Sequence, residues 1–187
     1  SGESFSSDNG TMNRLMSQVG ETVSAMIAAG GDAGDVADFL TSNKNSTVNV
    51  RAVSMVKPGD TGNATRRESG RTFEVVINGG SGVPNSLLAS GTGSMVSNGV
   101  TTASHELGHA YDFLTNTSGN YSPNPLYKFN NGKIASTSEI FGMHIENKVR
   151  ASRGYALRAF YGINMHGNAV GRALLPGSRC AAHMPGN

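Results

Sequence analysis

The strongest constraint on this chain is the run His-Glu-Leu-Gly-His at residues 105–109. Apolar side chains around the run recur at helical spacing, at Val100, Ala103, Leu107, Tyr111 and Leu114. At roughly 100° per residue they share one face of a helix. His105 and His109 then lie next to each other on the opposite face. The sequence therefore predicts a helix that packs one face on a core and presents two imidazoles, one turn apart, on the other.

Two imidazoles at this spacing suit a single Zn²⁺, which takes nitrogen ligands at roughly 2.0–2.1 Å and keeps a fourth position for water in catalytic sites. Glu106 flanks the pair and is placed to accept a proton from that water, whose pKa zinc lowers to about 7. The competing interpretation is a surface helix that carries His and Glu by chance. The motif favours His105 and His109 as metal ligands and Glu106 as general base.

A third protein ligand must come from another part of the chain. Metalloproteases with a third His six residues after the second do not fit, because Thr115 occupies that position and Asp112 stands where their Gly should be. Residues 138–152 are a better source, since their spacing predicts a second helix.

On this second helix, Glu139 lies on a different side from the apolar residues Phe141, Ile145 and Val149. Gly142, one turn after Glu139, removes bulk where another helix can approach closely. We predict Glu139 as the third ligand, and the alternatives are Glu146, His144 and Asp112.

Both glutamates also have structural interpretations. Ser136-Thr137-Ser138-Glu139 fits a capping box, in which Glu139 satisfies the start of the helix. Glu146 and Arg150, at i and i+4, fit an ordinary surface ion pair. Capping and metal binding use the same carboxylate oxygens, so the two roles of Glu139 exclude each other only in part.

The length of 187 residues predicts one domain over 1–187. Two helices are predicted within about 1–45, a catalytic core within about 46–162, and a weakly patterned tail in 163–187. Hydrophobic alternation predicts strands at 48–53 and 73–77. The polar segment 57–71 between them, and the segment 115–137, are predicted as loops.

Composition narrows the classes of partner. The 15 basic and 13 acidic residues leave a net charge of +2, too little to indicate nucleic acid or an acidic membrane. No stretch approaches the roughly 18 apolar residues of a membrane span. The single cysteine, Cys180, cannot form an internal disulfide. We therefore expect no nucleic-acid partner and no membrane partner.

The run His-Glu-Leu-Gly-His-Ala-Tyr, preceded by Gly-Thr-Gly-Ser-Met-Val, resembles the zinc metallopeptidase domains of NleD-like bacterial effectors and the C-terminal toxin domains of Rhs-repeat proteins. In these domains the HExxH helix is followed by Glu-x-x-Ala/Gly, then Glu-Asn, then Arg and Gly, and finally Arg-x-x-Tyr. The resemblance covers roughly residues 40–162. The matching positions are, in order, Glu139, Gly142, Glu146-Asn147, Arg150, Gly154, Arg158 and Tyr161.

The resemblance implies Zn²⁺ held by His105, His109 and Glu139, with Glu106 as general base and acid. It also implies a domain that is secreted or delivered into a target cell, by an Rhs-type carrier or a secretion machinery, and that cleaves a protein in the cytoplasm. We expect a small α+β fold of zincin-like, gluzincin type, with a short mixed sheet and an HExxH active-site helix.

Peptide hydrolysis also needs a donor for the oxyanion that develops on the carbonyl. We assign Tyr161 to this role, because it ends the matched segment; the alternatives are Tyr155, His144 and His166. A tyrosine that anchors the helix to the core is the competing interpretation.

The predicted function is a zinc-dependent endopeptidase, with the peptide substrate added as a strand to an exposed sheet edge at 93–97. Two other functions are compatible with the same residues. One is a zinc amidase that acts on cell-wall peptide, and the other is a non-enzymatic, metal-stabilised interaction module.

Overall fold

The computed structural model describes residues 9–53, 64–69, 71–78, 87–88, 99–117, 126–128, 134–163, 166 and 169–172. Its helices are α1 (Asn9–Ala29), α2 (Gly31–Ser42), α3 (Gly99–Thr115) and α4 (Thr137–Ser152). Its strands are β1 (Thr47–Val53), β2 (Ala64–Ser69), β3 (Thr72–Asn78), β4 (Leu126–Lys128), β5 (Ile134–Ser136), β6 (Phe160–Ile163) and β7 (Ala169–Arg172). The described part of the chain is a small α+β fold, as predicted at that level.

Every predicted helix is present. α1 ends at Ala29, directly before the pair Gly30-Gly31, and α2 begins at the second of these glycines. Gly30 and Gly31 have φ angles of 64° and 50°, in the left-handed region that side chains with a Cβ rarely occupy. The two glycines therefore let the chain turn from one helix directly into the next.

Three strands form one mixed sheet in the order β1-β3-β2. β1 runs parallel to β3, in register from Thr47–Thr72 to Val53–Asn78, and β2 runs antiparallel to β3. Within the described residues β2 pairs with β3 alone, so it forms an edge of this sheet. The β4–β5 and β6–β7 pairs are two further antiparallel units.

α3 lies at the centre of the fold and packs against α1, α4 and β3. All of its residues from 100 to 110 are buried. Of the residues predicted to face the core, Val100, Ala103 and Leu107 on α3 and Phe141, Ile145 and Val149 on α4 lie in the buried core cluster. Tyr111 packs against this cluster, whereas Leu114 is half-buried and lies outside it.

Two glycines set the close approach of α3 and α4. A Cβ on Gly108 would lie 3.4 Å from Cα of Gly142 and 3.3 Å from Cγ1 of Ile145. A Cβ on Gly142 would lie only 2.8 Å from Nε2 of His105. The prediction that Gly142 makes room for a neighbouring helix is therefore confirmed.

Two segments predicted as loops contain strands, and so does the tail 163–187, which was predicted only to be weakly patterned. Segment 57–71 contains β2, whose sequence Ala-Thr-Arg-Arg-Glu-Ser lacks apolar alternation and which forms a strand by pairing with β3. Segment 115–137 contains β4 and β5, and the tail 163–187 contains β7. Residues 93–97, predicted as an edge strand, lie outside the described residues.

No helix among the described residues is both long enough and apolar enough to span a membrane.

Candidate metal centre

Three side chains from two helices converge where α3 meets α4. His105 and His109 come from α3, and Glu139 comes from the first turn of α4. Oε2 of Glu139 lies 3.1 Å from Nε2 of His105 and 3.4 Å from Nε2 of His109. The histidines are buried, whereas the Glu139 side chain is 30% exposed. Together they form a group that can hold a metal ion.

The spacing of these atoms suits a small four-coordinate cation. The candidate ligand atoms all lie within 4.8 Å of one another. Corners of a tetrahedron with metal–ligand bonds of roughly 2.0–2.1 Å are about 3.3 Å apart, close to both distances measured from Oε2 of Glu139. Two imidazoles and one carboxylate would fill three corners, and among the described residues no fourth side chain joins the group.

The second ring nitrogen of each histidine also has an oxygen partner. Nδ1 of His105 lies 3.3 Å from Oε2 of Glu146, and Nδ1 of His109 lies 2.8 Å from Oγ of Ser138. Metal-binding histidines almost always donate this second N–H to a nearby acceptor, which fixes the tautomer and the ring orientation. These partners thus hold both rings with Nε2 towards Glu139.

Glu146 belongs to a buried ion cluster behind His105. Its Oε1 accepts a hydrogen bond from Nε of Arg150 at 2.8 Å, and its Oε2 accepts one from Nη1 of Arg158 at 2.9 Å. The predicted pair of Glu146 with Arg150 exists, but its assignment to the surface is wrong, because both side chains are fully buried. Glu146 faces Nδ1 of His105 rather than Nε2, so it lies outside the ligand group.

Arg158 reaches this cluster because the chain folds back after α4. Gly154 follows the helix in the left-handed conformation, with φ 68°. Asn147 then binds the main chain of Arg158 on both sides: Nδ2 donates to Arg158 O at 3.0 Å, and Arg158 N donates to Oδ1 at 2.7 Å. Several residues of the matched sequence pattern therefore build one support for the His105 ring.

Two carboxylates flank His105 and favour a positive charge at the ring. Burial acts to lower the pKa of His105, but hydrogen bonds donated to Glu139 and Glu146 outweigh it and raise the pKa to about 9. Burial acts to raise the pKa of Glu139, yet hydrogen bonds from His105 and His109 hold that pKa well below its usual range. A bound cation would take the place of the proton in this negative environment.

The predicted general base, Glu106, is buried on α3 and lies outside the ligand group. Thr65 of β2 approaches it from the sheet: Oγ1 of Thr65 lies 2.9 Å from Oε2 and 2.8 Å from the main-chain O of Glu106. Glu106 therefore lies at the junction of α3 and the edge strand β2.

The remaining ligand candidates are engaged elsewhere. Nε2 of His144 lies 2.6 Å from Oδ2 of Asp32 on α2, and its hydrogen bond holds the pKa of Asp32 below its usual value. Asp112 is buried on α3 outside the group. Glu139 does lie in the first helical turn, as a capping box requires, but its Oε2 faces the two imidazoles.

An aromatic stack extends from the metal group towards solvent. The ring of His109 stacks on Phe113 at 6.1 Å, and Phe113 stacks on Phe73 at 5.9 Å. Phe73 is buried, whereas Phe113 is 48% exposed. The stack supports one face of the His109 ring and gives the site an apolar border.

Tyr161, the predicted oxyanion donor, lies in β6, but its side chain is outside the described part of the chain. Of the alternatives, His144 binds Asp32 and His166 is exposed. The assignment of Tyr161 stays a prediction.

Sequence reasoning assigned no role to four side chains that hold the site: Ser138, Asn147, Arg158 and Thr65. Asn147 and Arg158 belong to the matched sequence pattern, and Ser138 directly precedes the candidate ligand Glu139. Their positions in the sequence therefore pointed to the site, but not to the contacts that they make there. Thr65 is far from Glu106 in sequence and lies in a segment predicted as a loop, so nothing in the sequence indicated its contact.

A scan against family models and searches of curated proteins and of solved structures find no match for this chain.

Proposed function

We propose that this chain is a zinc-dependent endopeptidase with a zincin-like, gluzincin-type fold. The observation that carries the proposal is the three-ligand group of His105, His109 and Glu139 with a further carboxylate, Glu106, beside it on the same helix. Structural zinc sites use four protein ligands, whereas catalytic sites use three and keep a position open. Zinc is favoured among divalent cations because imidazole and carboxylate ligands in a tetrahedral arrangement suit it.

His105, His109 and Glu139 would hold the zinc, which would supply Lewis acidity for the attack of water on a peptide carbonyl. Glu106 takes the proton of the attacking water and returns it to the nitrogen of the leaving amine. His105 and His109 serve as neutral ligands through Nε2, while Glu146 and Ser138 keep their Nδ1 atoms oriented.

The substrate is a protein or peptide that binds as an added strand at a sheet edge. Among the described residues, β2 is the edge strand that contacts Glu106, through Thr65. A peptide paired with β2 forms main-chain hydrogen bonds along the strand and brings its own carbonyl groups towards the general base.

We also infer the biological role of a toxin or effector, on the resemblance to NleD-like effectors and Rhs toxin domains. In this role an Rhs-type carrier or a secretion machinery delivers the domain into a target cell, where it cleaves a protein in the cytoplasm. The sequence pattern supports this inference, because its residues Glu139, Gly142, Glu146 and Arg158 all lie against the His105 ring.

The substitution Glu106→Gln tests the proposed function. We expect it to keep stoichiometric zinc and an unchanged thermal unfolding temperature but to lower peptide cleavage at least about 100-fold, the scale of general acid–base catalysis. Wild type and variant are expressed in the cytoplasm of a recipient cell, and new protein N termini are mapped by mass spectrometry. The matched control is Glu21→Gln, at an exposed glutamate on α1, which should leave cleavage intact.

New termini that persist with Glu106→Gln would contradict the assignment of the general base. Damage that occurs only after export to the periplasm would favour the zinc amidase that acts on cell-wall peptide. Zinc bound by four protein ligands, with no cleavage in either compartment, would favour the non-enzymatic interaction module.

A further inference from the structure

Thr65 joins the edge strand to the general base by an unusual pair of contacts. Its single hydroxyl lies within hydrogen-bonding distance of two oxygens of one residue, Oε2 and the main-chain O of Glu106. Thr65 pairs with Val75 of β3 in the antiparallel register, and Val75 is fully buried in the core. Residues directly opposite in such a pair share a face of the sheet, so Thr65 is fixed on the face that packs on α3.

The hydroxyl of Thr65 has one hydrogen, so it donates to one of the two oxygens at a time or divides its hydrogen between them. When it donates to Oε2, it ties the flexible Glu106 side chain to β2. The exchange of a proton with water then falls to the second carboxylate oxygen, Oε1. A general base needs this restriction, since proton transfer requires the acceptor within about 2.6–3.2 Å of its partner.

We propose that Thr65 is a positioning residue that fixes the carboxylate of Glu106 for proton transfer at Oε1. The catalytic role of this proton transfer rests on the proposed function, but the contact between Thr65 and Glu106 does not depend on it. Thr65 lies on the strand proposed to receive the substrate, so the same strand positions the peptide and the base.

Two substitutions separate the hydroxyl from the shape of the side chain. Thr65→Val keeps the shape and removes the donor, and Thr65→Ser keeps the donor and removes the methyl group. We expect Thr65→Val to lower kcat about 10–100-fold, the scale of a hydrogen bond to a charged group, with KM and zinc affinity unchanged. Thr65→Ser should restore kcat to within about 3-fold, which a loss of packing alone would not allow.

A second readout does not depend on catalysis. Acetohydroxamate binds zinc and donates a hydrogen bond to a neighbouring general base, so its affinity for the zinc-loaded protein reports the position of Glu106. We expect Thr65→Val to weaken this affinity about 5–20-fold in the wild-type background and to have no further effect in Glu106→Ala, which removes the carboxylate that Thr65 faces. Thr65→Ala serves as the second donor-free variant if Thr65→Val unfolds, with folding followed by circular dichroism.

The outcomes separate this proposal from the function on which it rests. Equal effects of Thr65→Val in both backgrounds, or no restoration by Thr65→Ser, would overturn the positioning role even if the wild type cleaves protein. Thr65→Val could weaken acetohydroxamate binding only where Glu106 is present, while the wild type cleaves no protein. This result would uphold the coupling of Thr65 to Glu106 and contradict the endopeptidase function.

Discussion

Glu139 and Glu146 lie two turns apart on α4 and meet the same imidazole from opposite sides. Glu139 approaches Nε2 of His105 at 3.1 Å and is 30% exposed, while Glu146 approaches Nδ1 at 3.3 Å and is fully buried. Glu146 also accepts hydrogen bonds from Arg150 and Arg158, whereas Glu139 meets a second histidine, His109.

The two carboxylates differ in the side of the ring that they face and in their other partners: Glu146 lies on the Nδ1 side with two arginines, and Glu139 lies on the Nε2 side with a second histidine. The charge of Glu146 is matched by two guanidinium groups, and its pKa stays well below the usual range because Arg158 and His105 outweigh the effect of burial. The carboxylate of Glu139 faces Nε2 of both imidazoles, which are neutral when they bind metal, so Oε2 is placed to join them around a cation. One glutamate therefore builds the support and the other completes the ligand group.

The largest effect that separates the two glutamates is expected from Glu146→Ala. Removal of one partner from a buried ion cluster leaves Arg150 uncompensated and costs about 3–5 kcal/mol of unfolding free energy. Urea denaturation of the metal-free protein measures it. Glu21→Ala, which breaks the exposed pair with Arg153, is the control and should cost less than about 1 kcal/mol. A similar cost for both variants would contradict the support role.

Glu139→Gln should show the opposite profile. We expect zinc affinity to fall more than about 100-fold, beyond the roughly 10–100-fold cost of outer-shell changes. The metal-free protein should lose less unfolding free energy than it does in Glu146→Ala, because the Glu139 side chain is 30% exposed whereas Glu146 is fully buried. The matched variant Glu146→Gln should lower zinc affinity only within that outer-shell range. Competition titration with a chelating dye measures both, and a larger loss with Glu146→Gln would reverse the assignment.

Gly142→Ala tests whether the first turns of α4 must lie this close to His105. The added Cβ would lie 2.8 Å from Nε2 of His105, and such overpacking costs about 1–3 kcal/mol, more than the roughly 1 kcal/mol gained in helix propensity. Zinc affinity should fall together with the unfolding free energy, because the added Cβ displaces Nε2 of His105, the nitrogen proposed to bind the metal. Gly108→Ala, whose Cβ meets Cγ1 of Ile145 at 3.3 Å, should disturb packing while affecting zinc less. Equal zinc losses would argue against a specific role for Gly142.

The smallest effect is expected at a third contact between an imidazole and a carboxylate, which joins His144 of α4 to Asp32 of α2. The pKa of Asp32 lies below its usual value, so the pair stabilises the fold above the ordinary pKa, near 4, and this contribution is lost as the pH falls through the lowered one. The Asp32 side chain is 45% exposed, so solvent screening limits the effect of Asp32→Asn to below about 1 kcal/mol.

Chemical denaturation of wild type and Asp32→Asn at pH 6 and at about pH 2.5 measures this effect. The difference in unfolding free energy between the two proteins should be smaller at the lower pH. A larger difference there would contradict the lowered pKa of Asp32. Asp35→Asn, at an exposed carboxylate on the same helix, is the control.

Hydrophobic spacing was sufficient to predict the two site helices, because their apolar faces are local patterns. It placed His105, His109 and Glu106 on one helix, but it did not separate Glu139 from Glu146, which share one helix face. It did not show that Glu146 is buried, because Arg158 reaches that site only after the chain turns at Gly154.

The edge strand β2 could not be predicted from the sequence, for a related reason. β2 carries no apolar alternation, and its strand conformation comes from pairing with β3. The contact of Thr65 with Glu106 depends on that pairing, so it follows from the tertiary structure and not from any motif.

X-ray absorption at the zinc edge of the purified wild-type protein tests the central claim most directly. We predict one zinc per chain with only nitrogen and oxygen ligands at roughly 2.0–2.2 Å, two of them imidazoles, and the loss of this spectrum in Glu139→Gln but not in Glu146→Gln. A zinc–sulfur distance near 2.3 Å, or a spectrum that survives Glu139→Gln unchanged, would contradict a metal centre built from His105, His109 and Glu139.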